Sequence, residues 1–334
     1  MEKIYKGWKD ELQSLLNANL STRDDGGIAS GKTQDDRANY LFSFFNLLRE
    51  HGYAVDPHNI KQKHIQFACD YYLSDKEKDG RPKASLSPAT IQAYLSMLRS
   101  FARWIGKNGM VGSASKYISD ESKYTRTYAA MEDKGFEGRG VNIREVILQI
   151  RSEYPYVYHQ MLAQTAFGLR CKESLSLRPF IHLVEDTVQI LDGSKNGKPR
   201  VIPIENDNQI EVAKTLKQFI GKTSQSLMEP RLSLPQNYSK YYRVCKKFGL
   251  TKKELGNMHS SRSDYAMNFM MSEGLIPLVK GGEVGQLPKE QEMEIRLAAS
   301  QRLGHNRVSI TTAYSGPLSE AGKRKIDKKK NDKS

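Results

Sequence analysis

The chain has 334 residues, more than one hydrophobic core usually organises, so its length predicts two domains. Apolar residues make up 38% of the sequence, which excludes a wholly disordered protein. The net charge is +14, and residues 322–334 supply only +5 of it, with seven Lys or Arg and two Asp. Because the rest of the chain is also basic, the composition points to a nucleic-acid partner.

Targeting and membrane signals are missing from the sequence. Residues 1–16 interleave charged and apolar side chains, so they predict a short amphipathic helix, not a signal peptide. The densest apolar stretch, Leu41 to Leu48, is far shorter than the roughly 18 residues that a membrane span needs. Three scattered cysteines, without a CxxC pair, indicate a reducing compartment and no zinc site. We therefore expect a cytoplasmic, nucleoid-associated protein with no membrane partner, no metal and no cofactor.

Residues 1–36 are predicted to form an N-terminal helix followed by a flexible linker. The linker, from Ser21 to Asp36, is rich in Gly, Ser and Asp, and it contains a literal phosphate-loop pattern, Gly26 to Thr33. A phosphate loop must follow a buried strand, whereas the preceding ANLSTRDD is polar. The pattern is therefore interpreted as a coincidence in a linker, and an ATPase remains only a remote alternative.

Residues 37–125 show helical apolar periods and predict a small all-helical domain. Ser87 and Pro88 are typical of a helix cap and first position, and Ile91 begins the apolar stripe of the helix that follows. The opposite face carries three basic side chains, which are Arg99, Arg103 and Lys107. A basic stripe is often ordinary solvated surface, but in a chain this basic we predict that it lies along a DNA backbone.

Residues 140–321 are predicted to form a second, mainly helical domain that contains a small β-hairpin, followed by a basic tail over 322–334. The hairpin strands are TVQIL and RVIPI, and Asn196-Gly197 between them favours a tight turn. Helices are predicted over 143–150, 156–167, 209–220, 238–248, 259–272 and 289–303, with Gly274 and Gly304 as C-terminal caps. The fold class is therefore mostly α, with an α+β second domain.

Several side chains in this half are ambiguous one at a time. Arg170 could be a surface residue that pairs with Glu173, and the His259-x-x-Arg262 pair could serve only to cap a helix. A lone Tyr314 between small residues is more typical of a core. Lys195 and Lys198 flank the predicted turn of the hairpin.

Taken together, their order resembles the tyrosine recombinase, or phage-type integrase, family. The pattern is an Arg after Gly-Leu with a Glu three residues on, a hairpin lysine, HxxR, then Leu-Gly-His with a Tyr nine residues later. The residues that carry the resemblance are Arg170, Lys195, His259, Arg262, His305 and Tyr314. The resemblance implies that residues 37–125 are a core-binding DNA-binding domain and that residues 140–321 are the catalytic domain.

The chemistry of this family calls for the same residue types. A phenol such as Tyr314 can attack a phosphodiester and later leave, and paired guanidiniums, here Arg170 and Arg262, can neutralise the phosphate oxygens. By resemblance to a K-x-x-K-x-R pattern, Lys195 protonates the leaving 5′ oxygen, while Lys198 and Arg200 contact the DNA backbone. An exchange of roles between Lys195 and Lys198 stays open. The two histidines accept a proton or donate a hydrogen bond near the phosphate.

Nine residues separate His305 from Tyr314, so one unbroken helix would turn the two side chains to opposite faces. We predict a break, in which Gly304 ends one helix and Ser309 caps the next. The segment between Arg262 and Leu303 is longer than in most relatives, and Ser261 stands at a place that is usually apolar.

The resemblance implies a site-specific DNA recombinase, or integrase, of a mobile element, which cuts and rejoins strands through a 3′-phosphotyrosine intermediate without ATP or metal. Its partners would be double-stranded recombination sites bound by a homotetramer, with a possible accessory DNA-bending protein. A type IB topoisomerase and an inactive DNA-binding protein are the alternatives.

Overall fold

A computed structural model of the chain describes residues 7–23, 26–74, 77–78, 81–82, 85–193 and 199–331. The chain divides into two compact units, Met1–Thr127 and Tyr128–Ser334. Both units are mainly helical, and the only three-stranded sheet of the described residues lies in the second unit. The predicted fold class, mostly α with a small β element, is confirmed.

The N-terminal unit is a helical domain built on aromatic packing. Its helices are α1 (Trp8–Asn19), α2 (Gly31–Glu50), α3 (Gln62–Leu73) and α4 (Pro88–Trp104). Phe44, Phe45 and Phe101 are fully buried at the centre, and the apolar stripe of α4 faces them. The Ser87 hydroxyl accepts a hydrogen bond from the backbone N–H of Thr90 at 3.3 Å, as the predicted cap requires. A minimal ladder of β1 (Glu77–Lys78) and β2 (Arg81–Pro82) lies between α3 and α4 and was not predicted.

The predicted linker is shorter than the sequence suggested. Helix α2 begins at Gly31, because the Ser30 hydroxyl caps it by accepting from the Thr33 N–H at 3.3 Å. Lys32 also pairs with Asp36 at 2.5 Å one turn later, which supports a helix through the last six residues of the expected linker. A helix, α1, precedes the phosphate-loop pattern where a nucleotide site needs a buried strand.

The segment predicted to connect the domains, 109–141, is divided between the two units. The N-terminal core buries Val111, Ala114, Tyr117 and Ile118, which lie in and around a short 3-10 helix, Ala114–Lys116. Phe136 is fully buried in a core of the second unit. The division between residues 127 and 128 falls inside this segment.

The second unit surrounds helix α6, which is buried over most of its length. It packs against the helices on either side of it in sequence and against two later ones. The helices of the unit are α5 (Ile143–Ile150), α6 (Pro155–Phe167), α7 (Cys171–Ser176), α8 (Pro179–His182), α9 (Asp207–Ile220), α10 (Leu234–Lys247), α11 (Ser260–Ser272), α12 (Lys289–Arg302), α13 (Thr312–Ser315) and α14 (Glu320–Asn331). The longer helices agree with the predicted periods to within a few residues.

The sheet of this unit consists of β3 (Leu183–Val184), β4 (Thr187–Ile190) and β5 (Arg200–Pro203), all antiparallel in that order. Val188 pairs with Ile202 and Ile190 with Arg200, so the predicted hairpin is confirmed. The expected turn at Asn196-Gly197 lies outside the described residues. The strand β3 was missed, since two residues give no alternation to recognise.

The predicted basic tail is largely a helix. Residues 320–331 form α14, and Ile326 on it is fully buried beside Ala130, Leu278 and Val279. Lys323 pairs with Glu283 at 2.7 Å on the same surface. Within the described ranges, no helix combines the length and the apolar character that crossing a membrane requires.

Candidate active site

Helix α7 orients the first arginine through its own N-terminus. Gly168 ends α6 with φ +59°, and a Cβ there would lie 2.5 Å from the ring of Tyr265, so the tight turn needs glycine. Arg170 stands at the N-cap of α7. The Glu173 carboxylate accepts the Arg170 backbone N–H at 2.7 Å and its guanidinium at 2.7 Å. Backbone and side chain of Arg170 are thus held by one carboxylate.

Glu173 is the centre of a buried ionic cluster. Its side chain is fully buried, and it accepts two hydrogen bonds from Arg200, both at 2.7 Å. The Arg262 guanidinium lies 3.7 Å away. Burial acts to raise the pKa of Glu173, but the bonds from Arg200 and Arg170 outweigh it and lower the pKa to about 2. The cluster therefore holds three guanidiniums around one carboxylate, which leaves two net positive charges.

Arg262 and Arg170 converge on a single carbonyl group. The Nη2 atoms of Arg262 and Arg170 donate to the carbonyl of Leu303 at 2.8 and 3.1 Å, and Arg262 Nη1 donates to the carbonyl of Gly168. Burial, with the charge of Arg170, lowers the pKa of Arg262 to about 10, so its guanidinium stays protonated at neutral pH. This geometry brings α7, α11 and the end of α12 together.

The predicted break before His305 is present. Gly304 ends α12 with φ +73°, and a Cβ there would approach Arg200 Nη1 to 3.0 Å. His305 Nε2 lies 3.1 Å from Arg170 Nη2. Because a guanidinium can only donate, Nε2 accepts this bond and the ring proton sits on Nδ1. His305 is therefore bound to the arginine as a neutral ring.

Tyr314 and His259 are neighbours across α13 and the start of α11. Their ring centroids are 6.3 Å apart, and Tyr314 is only 6% exposed, packed with Ala266 and Leu303. Burial, followed by the charges of Arg262 and Arg170, lowers the pKa of His259 to about 4. The imidazole is consequently neutral at physiological pH and able to accept a proton.

The second cap was predicted wrongly. Ser309 lies inside a 3-10 helix, Val308–Thr311, which runs directly into α13 at Thr312. The chain is repositioned by this tighter turn instead of by a capping hydroxyl. A buried side chain, Arg296, then donates to the Ser315 hydroxyl at 2.6 Å, so the residue after Tyr314 is anchored from α12.

Arg200 does not stand where a DNA backbone contact was expected. Its side chain is 7% exposed, and besides Glu173 it donates to the carbonyl of Arg302 at 2.9 Å. Contact of Arg200 with a DNA backbone stays a prediction, and in this structure its guanidinium is bound to Glu173 and to the carbonyl of Arg302. Its place on β5 opposite Ile190 turns it inward, towards Glu173.

The roles of two residues between the hairpin strands remain predictions. Lys195 and Lys198 lie outside the described residues, so the choice between them rests on the sequence pattern. A cleft of about 370 Å³ lies beside the cluster, lined by Arg170, Lys172, His259 and Arg262 among others. It provides room for a phosphodiester next to both guanidiniums.

All three residues of the predicted basic stripe make hydrogen bonds within the N-terminal unit, and two of them lie on α4. Arg99 Nε donates to the carbonyl of Gly112 at 3.3 Å, and Arg103 to the Ser100 hydroxyl at 3.1 Å. Lys107 lies beyond the end of α4 and donates to the carbonyl of Ile60 at 3.0 Å. Contact of these three residues with DNA stays a prediction.

Sequence reasoning noted Glu173 but left it out of the predicted site. Its position three residues after Arg170, at N3 of a short helix, is a capping-box signal. Its bonds to Arg200 and its proximity to Arg262 could not be read, since those residues are 27 and 89 positions away in the chain.

Part of the chain that contributes to this site matches the model of a known protein family. Residues 139–268 match the family described as Integrase, a span that includes Arg170, Lys195, His259 and Arg262 and ends before His305 and Tyr314. Over this span, which lies in the second unit, the chain is similar to integrases. Enzymes of this type break and rejoin DNA strands. No curated protein sequence is significantly similar to the chain.

Solved tyrosine recombinases share its fold. A λ integrase (residues 75–356) dimer bound to a COC′ core site matches at 16% identity and TM-score 0.56, covering 94% of this chain and 95% of the other. The Tn1549 transposon integrase with circular intermediate DNA matches at 15% and 0.56, covering 94% and 97%. The XerH site-specific recombinase on a palindromic difH substrate matches at 13% and 0.55, covering 99% and 97%. At these identities the likeness establishes the fold.

Proposed function

We propose that this chain is a tyrosine recombinase that acts as a site-specific DNA integrase, in which Arg170, Arg262, His259, His305 and Tyr314 form the catalytic centre. The observation that carries the proposal is the convergence of two guanidiniums on one point beside a tyrosine and a neutral histidine. With Arg200 and Glu173 included, the site holds two net positive charges, which suits a phosphodiester and the greater negative charge of its transition state.

The first chemical step is attack by Tyr314 on the scissile phosphorus. A bond forms between the tyrosine oxygen and phosphorus, and the bond from phosphorus to the 5′ oxygen breaks, leaving a 3′-phosphotyrosine link. His259, with its pKa lowered by burial and by Arg262 and Arg170, takes the phenolic proton. Rejoining runs in reverse with a 5′ hydroxyl of the partner strand as nucleophile.

The remaining groups stabilise charge and the leaving oxygen. Arg170 and Arg262 donate to the non-bridging oxygens in place of the Leu303 carbonyl, since a phosphate offers charge-assisted bonds that are about twice as strong. His305 donates from Nδ1 to the same phosphate. Lys195 transfers a proton to the departing 5′ oxygen, so that it leaves as an alcohol and not as an alkoxide.

Recombination requires more than one copy of the chain. A λ integrase tetramer bound to a Holliday junction matches this fold at 16% identity and TM-score 0.54. By analogy, four copies of this chain on two double-stranded sites would exchange strands pairwise. We place such an enzyme of a mobile element with the nucleoid in the cytoplasm, and an accessory DNA-bending protein would assist the assembly.

The proposal is tested by covalent capture of DNA. The full chain is incubated with nicked duplexes of random sequence, and the molecules that stay attached under denaturing conditions are sequenced to define a cleavage site. We expect Tyr314→Phe to bind the selected duplex with an affinity close to wild type and to form no covalent complex, because only the hydroxyl is lost. A covalent complex of undiminished yield in Tyr314→Phe would remove Tyr314 from the role.

A further inference from the structure

The cleft beside the two arginines is also bordered by aromatic side chains that the reaction steps above do not use. Its lining includes three tyrosines of helix α10, which are Tyr238, Tyr241 and Tyr242. The cleft measures about 370 Å³, which is room for roughly a dozen water molecules at about 30 Å³ each. A phosphate group therefore does not fill it, and the tyrosines border space that a neighbouring part of the DNA can occupy.

A buried chain of hydrogen bonds fixes these tyrosines relative to Arg170. The Tyr241 hydroxyl donates to Gln164 Oε1 at 2.9 Å, and Gln164 Nε2 donates to the Ser174 hydroxyl at 2.8 Å. All three side chains are at most 1% exposed. Ser174 donates in turn to the carbonyl of Cys171 at 2.9 Å. Helix α10 is thus linked through α6 to α7, the helix that has Arg170 at its N-cap.

Tyr242 is the tyrosine of this group that is most open to solvent, with 58% of its surface exposed. Its ring meets the buried ring of Tyr241 edge to face, with centroids 5.4 Å apart and planes at 89°. The ring of Tyr238, one turn earlier, is nearly parallel to it at 6.3 Å. Partial burial, followed by the neighbouring thiol of Cys171, raises the pKa of Tyr242, so its phenol is neutral at physiological pH. Tyr242 therefore presents an oriented, uncharged ring beside the residue that follows Arg170.

The position of Tyr242 on the cleft distinguishes it from ordinary exposed side chains. Single exposed apolar residues are common on protein surfaces, so exposure alone assigns no role. Tyr242, however, borders the same cleft as Arg170 and Arg262. A phosphodiester that enters this cleft carries a nucleoside on either side, and aromatic side chains bind bases through the π face that every base has. The geometry therefore favours contact between the ring and a base.

We propose that Tyr242 is a DNA-positioning residue, whose ring packs against a base next to the scissile phosphate. The contact would help to set which phosphate lies between Arg170 and Arg262, and Tyr238 and Tyr241 would hold the ring in place. The inference rests on the proposed function, in which these two arginines bind the scissile phosphate.

The test removes the base and the ring separately and together. Single-turnover cleavage by the full chain at subsaturating DNA is measured on the selected duplex and on two duplexes with an abasic nucleotide on one or the other side of the scissile phosphate. We expect wild type to cleave one of the two abasic duplexes about 5- to 100-fold more slowly, the typical effect of losing one base–aromatic contact. Tyr242→Ala should slow cleavage of the intact duplex by a similar factor. It should lose nothing further on that abasic duplex, because the contact is already absent.

Matched variants separate this contact from general damage. Tyr242→Phe keeps the ring and should keep the sensitivity to the missing base, whereas Tyr242→Leu keeps an apolar neighbour for Tyr241 without a π face and should lose it. Phe180→Ala removes a ring that is 42% exposed but does not line the cleft, and it should leave the effect of the abasic nucleotide unchanged. Thermal unfolding is recorded for each variant, and Tyr242→Leu decides the matter if Tyr242→Ala is unstable.

The failure of this inference and that of the proposed function give different results. Multiplied losses from Tyr242→Ala and the abasic nucleotide, or undiminished cleavage of the intact duplex by Tyr242→Ala, would overturn the inference. Cleavage that is abolished in Tyr314→Phe would still support the proposed function in that case. If wild type forms no covalent complex with any duplex, the proposed function fails and the inference fails with it.

Discussion

The guanidiniums of Arg170 and Arg262 donate hydrogen bonds to a carbonyl whose place a phosphate oxygen can take in the proposed function. Arg170 and Arg262 both donate through Nη2 to the carbonyl of Leu303, which is a neutral acceptor. A charged phosphate oxygen is a better acceptor, and the difference favours the bound state. The Nη atoms of Arg262 are thus bound before DNA arrives, whereas its buried Nε has no hydrogen-bond partner among the described residues.

We expect Arg170→Ala and Arg262→Ala each to slow cleavage by about a hundredfold or more, as loss of a preorganised charge-stabilising donor does. Single-turnover rates at saturating DNA, with affinity measured separately, check this. Arg302, whose guanidinium pairs with Glu205 at 2.6 Å, serves as a control arginine outside the cluster. Equal losses of affinity and rate in Arg170→Ala would make it a binding contact.

The lowered pKa of His259 predicts that the stability of the protein without DNA depends on pH. Its pKa falls from 6.5 to about 4 on folding, chiefly through burial, so the unfolded chain binds the proton more readily. Stability should therefore decrease as the pH falls from 6.5 towards 4, by up to about 1.4 kcal/mol per pH unit. Urea unfolding of wild type and His259→Asn at several pH values measures it. A slope in this window that is identical in the variant would assign the effect to other groups.

At the scale of elements, the long helices could be predicted from the sequence, whereas the contacts that hold the short ones could not. The apolar periods of α4, α9 and α12 are visible because one face of each packs on a core. Helices α7, α8 and α13 have only four to six residues, and they are held by contacts such as Glu173 to Arg200 that join distant parts of the chain. Local sequence patterns do not show contacts between distant parts of the chain. For this reason the bond of Arg200 to Glu173 was not foreseen, and Arg200 was predicted to face DNA.

Helix α14 is a basic segment that nevertheless packs on a hydrophobic cluster of the second unit. Ile326 is fully buried against Leu278 and Val279, which belong to the segment between Arg262 and Leu303. Gly316, two residues after Tyr314, also lies on this cluster, where a Cβ would meet Ile326 at 3.3 Å. This segment therefore forms the surface on which α14 packs, close in sequence to Tyr314.

We expect Ile326→Ala to lower the free energy of unfolding by about 2–5 kcal/mol, as removal of a buried large aliphatic side chain typically does. Lys323→Ala, which breaks the pair with Glu283, should cost no more than about 1 kcal/mol. Urea titrations of both variants distinguish apolar docking from charge pairing. Equal stabilities of wild type and Ile326→Ala would mean that α14 is not docked in solution.

At the scale of the whole molecule, the charge of +14 is distributed between buried catalytic groups and exposed ones. Arg200 and Arg262 are neutralised in part by Glu173, whereas Arg103 on α4 is exposed. Buried arginines act on one phosphate, and exposed ones contribute to affinity by releasing counterions from DNA. The salt dependence of DNA affinity therefore distinguishes the exposed arginines from the buried ones.

If Arg99, Arg103 and Lys107 bind phosphates, their replacement by alanine should flatten the plot of log affinity against log salt by roughly 0.9 for each phosphate that is no longer neutralised. Cleavage at saturating DNA should change little, because these residues belong to the N-terminal unit and the cluster around Glu173 belongs to the second unit. Lys32→Ala is the matched control, since it removes a charge from the same unit that Asp36 already balances at 2.5 Å. Arg103→Ala alone tests the exposed member without disturbing the bonds of Arg99 and Lys107 to Gly112 and Ile60. A salt slope unchanged in the triple variant would make the stripe ordinary solvated surface.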